Sequence, residues 1–436
     1  MLTFITNNRT FMTVWFGQVV SNLGSSMTSF GLGIWVYQET GSAMNLALIV
    51  LAARVPALLV SPFAGAIIDR WNRRSAMLLA DAGAAIGTLA IMILLLTNSL
   101  ELWHLYLALG LSGVFSAFQL PAYGAAITLM VDKDQYARAS GFVQLAGSVG
   151  RIAAPAAAAA LVVWVGLTPL FIIDFLTFII AVVTLMAVRF PSPPPAERQG
   201  RGVAGLLSEA RLGLDFVLER PALLVLMLSF VVVNFAFAFQ SVLLIPLLLE
   251  TTTEQVAGWV VSLAAGAVVV GSVILGAWGG PKDRIAGVYA PIFAMGVGLS
   301  LIGLRPSVLL IIAGILLMNG THPIAGGSSQ AIWQSKVPPN LQGRVFAIRQ
   351  VSAIIASPPA FLLAGWLADK VFEPLVANEA SPLTQLVGWG PGRGIGLMFV
   401  LLGLFVVAVA ITAWRNPQIR NLEQEVPDHE PIDITT

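Results

Sequence analysis

Twelve runs of about 20 mainly apolar residues punctuate this chain, and a run of that length crosses a ~30 Å hydrocarbon core as one α-helix. They lie near 12–36, 43–68, 75–97, 102–131, 139–164 and 168–189, then near 222–249, 256–280, 286–304, 308–336, 343–368 and 392–414. The runs are long and continuous, whereas a membrane β-barrel would show segments of about 10 alternating residues. Of the 436 residues, 57% are hydrophobic and 10% charged, against about 25% charged in a soluble domain. This excludes a soluble globular enzyme and a disordered chain. A net charge of +1 gives no basic field for nucleic acid. With no Cys and 3 His, disulfides, thiolate sites and a His-rich metal centre are not expected. Met1 to Phe11 is short and polar and runs directly into the first span, so that span is expected to be retained rather than cleaved.

Lys and Arg orient the spans. With Arg54, Arg151 and Arg349 set aside as lying within spans, only Arg305, Lys370 and Arg393 fall on the side opposite the N-terminus. The positive-inside rule then places both termini in the cytoplasm and favours an even number of crossings. One long polar stretch, Phe190 to Arg220, opens with Pro191-Ser-Pro-Pro-Pro195 and continues as an amphipathic segment expected on the membrane surface. The expected organisation is a six-helix bundle over 1–189, a linker over 190–220, a second six-helix bundle over 221–414 and a tail over 415–436. The halves echo each other. Asn22 and Asn234 stand 212 apart, Gly65 and Gly276 as well as Arg73 and Arg284 stand 211 apart, Arg138 and Arg344 as well as Gln144 and Gln350 stand 206 apart, and Pro121 and Pro323 stand 202 apart. With six spans per half the repeat is parallel.

Gly65-Ala-Ile-Ile-Asp69-Arg70-Trp-Asn-Arg73-Arg74 lies between spans two and three. It resembles the loop motif of the major facilitator superfamily, with Asn72 in place of the motif's second Gly. Trp15-Phe-Gly-Gln18, Thr40-Gly-Ser-Ala43 and Ser-Gly141-Phe-Val-Gln144 resemble the macrolide-efflux and enterobactin-exporter branch. The resemblance implies an all-α fold of twelve membrane helices in two bundles, no enzymatic activity, and a gating role for Gly65, Asp69, Arg70, Arg73 and Arg74. Topology anchoring is the simpler reading of the three Arg. The family's antiporter string in span five appears as Gly150-Arg-Ile-Ala-Ala154-Pro155-Ala-Ala-Ala158-Ala159, with Ala replacing Gly at three places. The Arg that proton-coupled members carry in span four corresponds to Ser112.

Charges inside a bilayer are costly and point to function. Arg54, Arg151 and Asp174 are each placed near mid-depth by counting 1.5 Å per residue. A pair between Arg151 and Asp174 on consecutive spans is sterically reasonable; the alternatives are a substrate-contacting Arg54 or Arg151 with Asp174 carrying a proton, or a structural ion pair. His322 is a second proton-coupling candidate, since His titrates near neutral pH; a simple hydrogen-bonded His is the other reading. Asp81 and Arg349 lie about one turn from a span end, where snorkelling accounts for them. Gln18, Asn22, Gln119, Tyr123, Gln144, Asn234, Gln240, Asn319 and Gln350 complete the expected cavity lining, with interhelical hydrogen bonding as the alternative for each. No nucleotide-binding loop occurs, so no cofactor is expected. The expected partners are the lipid bilayer, a small-molecule substrate and protons, without nucleic acid, for a monomer in the inner (plasma) membrane. The expected activity is export of a bulky amphipathic compound by proton antiport. Uptake of a polar metabolite and a transport-silent receptor are the rivals.

Overall fold

In the computed structural model the described residues are 6, 8–68, 73–131, 135–188, 203–376 and 382–425. Every regular element among them is helical. The first series is α1 (Arg9–Thr40), α2 (Ala43–Ile68), α3 (Arg73–Leu96), α4 (Leu102–Met130), α5 (Tyr136–Val165) and α6 (Thr168–Ala187). After α7 (Val203–Leu218) follow α8 (Pro221–Thr251), α9 (Glu254–Trp278), α10 (Arg284–Leu304), α11 (Val308–Lys336), α12 (Pro339–Ile355) and α13 (Ser357–Leu367). A π-helical turn at Ala368–Phe372 leads into α14 (Glu373–Val376), and α15 (Pro382–Val387) precedes α16 (Arg393–Arg415), α17 (Pro417–Arg420) and α18 (Leu422–Glu425).

Among the described residues, 11 segments are long and apolar enough to cross a membrane, with α12 to α14 counting as one. The sequence reading counts twelve. The difference is α1, which at 32 residues has ample length but carries Gln18, Ser21, Asn22, Ser25, Ser26, Thr28 and Ser29. Polar groups on a spanning helix require partners inside the protein, and most of these residues line a chamber described below.

The described chain falls into two compact units. One comprises Met1–Arg198 with Thr252–Ser262, and the other Gln199–Thr251 with Leu263–Thr436. The start of α9 therefore groups with the first unit rather than the second. One reason is local to Pro155 inside α5. A proline within a helix disturbs the surrounding hydrogen-bond ladder, and here the Ala156 amide donates to Ser262 Oγ at 3.1 Å. Gln38 on α1 also donates to Glu254 at 2.6 Å.

Each unit repeats one packing order. In the first, α1 packs on α5 and α6, and α3 packs on α4 and α6. In the second, α8 packs on α13 and α16, and α10 packs on α11 and α16. First on fifth and sixth, third on fourth and sixth, is the pattern in both once α7 is set aside. Lipid tails are as apolar as Leu, so such packing relies on close van der Waals fit and small residues. The seam of α10 with α11 and α16 is the clearest case. A Cβ added at Gly298 would lie 2.6 Å from the Gly314 carbonyl oxygen, and one at Gly296 would lie 2.8 Å from that of Gly403. At Gly303 it would collide with the Gly396 carbonyl oxygen.

Two stability outcomes follow from this packing. Gly303→Ala is expected to cost about 1–3 kcal/mol through overpacking, read as a lower unfolding temperature of the detergent-purified protein. Gly266→Ala, where an added Cβ meets nothing within 4 Å, should not lower it. Ser262→Ala leaves the Ala156 amide without its side-chain acceptor and should cost about 1 kcal/mol by the same measurement.

Candidate functional site

The polar residues of α1 fall on one helical stripe. Gln18, Ser21, Asn22, Ser25, Thr28, Ser29 and Leu32 all line one chamber of about 320 Å³ in the first unit. Their spacing of three and four residues is that of a single helix face. Ala80, Asp81, Ala84, Gly87, Thr88 and Ile91 supply the α3 wall at the same spacing. Ser112, Ser116 and Gln119 on α4 and Phe171, Asp174 and Phe178 on α6 close it.

Two carboxylates stand in this chamber. Asp81 is 4% exposed and Asp174 is 2% exposed. Asp81 accepts from Gln18 Nε2 at 3.0 Å and from Gln119 Nε2 at 2.9 Å. Gln119 Nε2 also donates to Gln18 Oε1 at 2.7 Å, so the three side chains form a closed ring joining α1, α3 and α4. Gln119 Oε1 is buried and has no hydrogen-bond partner among the described residues. Asp174 accepts from Ser25 Oγ at 2.9 Å and from Thr88 Oγ1 at 3.1 Å, joining α1, α3 and α6. Gly24 allows the approach of α1 to α6 here, since a Cβ would lie 3.1 Å from Asp174 Cα. Asp81 and Thr88 are two helical turns apart on α3, which separates the two acidic clusters by roughly 10 Å along the axis. No Lys, Arg or His is among the chamber's lining residues.

This arrangement corrects two readings of the sequence. Asp81 does not snorkel: a short side chain eight residues into α3 turns inward to two amides instead. Asp174 does not pair with Arg151. Its partners are hydroxyls, Arg151 is exposed, and no ion pair between the two occurs among the described residues. Arg54 is likewise exposed and does not line the chamber. Tyr123 is packed instead in an apolar cluster with Phe11, Met77 and Ala126, and its hydroxyl has no hydrogen-bond partner among the described residues.

The second unit has its own pocket of about 330 Å³, between α8, α11 and α12. Asn234 and Gln350, both expected cavity residues, line it with Phe230, Gln330, Trp333, Phe346 and Arg349. Arg349 Nη1 donates to Gln330 Oε1 at 3.0 Å. Its guanidinium carbon lies 4.8 Å from the Trp333 ring centroid and 5.6 Å from that of Phe346. Arg349 is therefore held sideways by α11 rather than extended to a surface, a second departure from the snorkelling expectation. His322 is packed edge-on against Phe237, with 4.7 Å between centroids. Asn319 is buried and donates to the Ile315 carbonyl at 3.1 Å. Gln240 is buried on α8 and lies outside this pocket.

Of the loop motif, Asp69 and Arg70 lie outside the described residues, and so do the side chain of Arg73 and the surroundings of Gly65. Arg74 donates to the Met186 carbonyl at 2.6 Å, tying the start of α3 to the end of α6. In the antiporter-like string Gly150 is buried against α1, where a Cβ would lie 3.0 Å from Ser26 Oγ, and Ala154 and Pro155 are also buried. The Gln144 side chain lies outside the described residues.

Residues 14–358 match the family model of the Major Facilitator Superfamily. Macrolide efflux protein A of Streptococcus pyogenes is 27% identical over 421 residues, spanning 95% of this chain and 97% of that protein. Multidrug efflux pump Tap of Mycolicibacterium fortuitum is 20% identical, spanning 94% of this chain and 97% of that one. Among solved structures, a bacterial homologue of the human lysosomal transporter Spinster superposes with a TM-score of 0.69 at 14% identity, covering 93% of this chain and 96% of its own. With a family match over most of its length and a fold of long apolar helices, the chain is a multi-pass membrane transporter and belongs to the major facilitator superfamily.

Proposed function

We propose that the protein exports a bulky amphipathic compound, of the drug, macrolide or siderophore-like kind, in exchange for protons. In this reading two bundles, over 1–189 and 221–414, are joined by the 190–220 linker and expose a binding site alternately to the two sides of the inner (plasma) membrane. The 415–436 tail and both termini are cytoplasmic. The substrate class draws on the relatives whose names are macrolide and multidrug efflux proteins.

The observation that carries the coupling half of this reading is the chamber of the first unit. It holds two buried carboxylates, four donors aimed at them and no cationic side chain in its lining. A carboxylate so placed has no cationic side chain beside it in the chamber's lining, and a mobile cation or proton is the natural complement. The two carboxylates respond differently to a proton. Around Asp174 the partners are hydroxyls, which turn from donor to acceptor by rotating one O–H bond. Asp81 faces amide nitrogens, which can only donate. A proton on Asp81 makes one of its oxygens a donor, so the amide facing it must turn its oxygen inward. Gln119 Oε1, buried and unpartnered, is the acceptor available for that turn. Since Gln119 also holds Gln18, protonation at Asp81 loosens α1 from α4, while protonation at Asp174 leaves its helices joined. His322 has no hydrogen-bond partner among the described residues, so a proton there would rearrange no such bond. Asp81 is therefore the coupling residue of this proposal, ahead of Asp174 and His322.

Proteoliposomes with an imposed proton gradient test the reading, using a labelled macrolide as probe. Asp81→Asn, which removes the proton-carrying carboxyl, should abolish gradient-driven accumulation and leave substrate–substrate exchange intact. Asp174→Asn should stay within about tenfold of the parent, the worth of one hydrogen bond. Gradient-driven transport at the parental rate in Asp81→Asn would refute the coupling role. A parent protein that moves no amphipathic probe under any gradient would refute export.

A further inference from the structure

We infer that the pocket around Arg349 is a binding site for an anionic group carried on an aromatic body, such as an aryl carboxylate or sulfonate. Its walls combine three aromatic side chains, Phe230, Trp333 and Phe346, with the amides of Asn234, Gln330 and Gln350. A volume of about 330 Å³ falls within the range of small-molecule pockets, roughly 300–1,000 Å³. The one charge in this lining is Arg349, and no Asp or Glu is present.

Uncommitted donors separate a ligand site from a merely packed arginine. A guanidinium has five N–H donors in a planar fork. Arg349 commits one nitrogen to Gln330, and no carboxylate pairs with it among the described residues. Trp333 and Phe346 offer it only aromatic faces, and the half-buried guanidinium keeps its remaining N–H groups open to the pocket. A bound anion accepts from that remaining fork in bidentate fashion. Gln330 fixes the guanidinium plane, and the aromatic walls receive the body of the ligand.

The repeat offers an internal comparison. At the 206-residue offset that relates Gln144 to Gln350, the counterpart of Arg349 is Val143. The packing order shared by the two units therefore does not require a cation at this place. The charges are segregated instead, with carboxylates in the chamber of the first unit and a guanidinium in the pocket of the second.

The assignment deepens the export reading by naming a substrate feature, and it depends on that reading only for what the ligand is for. Binding can be measured without transport, so either can fail alone. The test is equilibrium dialysis of the purified full chain in detergent with radiolabelled 2-naphthoate, and with 2-naphthamide as the neutral isostere. The parent should bind naphthoate saturably and naphthamide roughly tenfold or more weakly. Arg349→Gln should weaken naphthoate by a similar factor and leave naphthamide unchanged. Arg349→Lys, which keeps the charge but loses the planar fork, should fall between, and it guards against a variant that fails to fold. Equal binding of the two probes, or parental naphthoate affinity in Arg349→Gln, would overturn the site. Displacement of naphthoate by phosphatidylglycerol but not by unlabelled naphthoate would assign the pocket to a lipid headgroup and overturn it equally.

Discussion

A bilayer interior offers no water, and every polar group carried into it needs a partner from the protein itself. The rest of this molecule depends on how that demand is met. Most of the spans scatter their polar groups among apolar residues. α1 does the opposite, and its stripe from Gln18 to Ser29 is the reason a chamber exists at all. Once that stripe is buried, α3, α4 and α6 must turn polar side chains toward it. Asp81, Thr88, Gln119 and Asp174 are those answering groups.

The same demand is met by different chemistry in the two units. The first uses carboxylates held by amides and hydroxyls, and the second uses a guanidinium held by an amide and aromatic faces. Yet the order of helix packing is the same in both. Duplicated architecture and divergent charge are compatible because packing is carried by small and apolar residues, while each charged group needs only a few specific neighbours.

The span positions were legible in the sequence because a hydrophobic run is a local property. Asn22, Asn234 and Gln350 were legible as polar residues within spans, and each lines a pocket of its own unit. Gln18 and Gln119 were legible as polar but not as partners, because 101 residues separate them. Asp81 was misread for a specific reason. Counting residues from a helix end measures depth and says nothing of azimuth, and the azimuth of Asp81 points to α1 and α4. A stripe count on α1 and α3 would have found it, since Asp81, Ala84 and Thr88 share the period of Gln18, Asn22 and Ser25. The pairing of Arg151 with Asp174 failed on the same ground: adjacent spans bring helices together but not every face of them.

The seam of α10 with α11 and α16 has a consequence for how such a transporter diversifies. Where carbonyl oxygens replace side chains as the contact surface, no room is left for a larger residue, and a substitution there disturbs the packing whatever compound is carried. The opposite face of α11, bearing Gln330 and Trp333, looks onto α8 and α12, where residues such as Phe230 and Phe346 can change size without opening the seam. One helix thus has a frozen flank and an adaptable one, and the pocket of the second unit can change its shape along the latter alone.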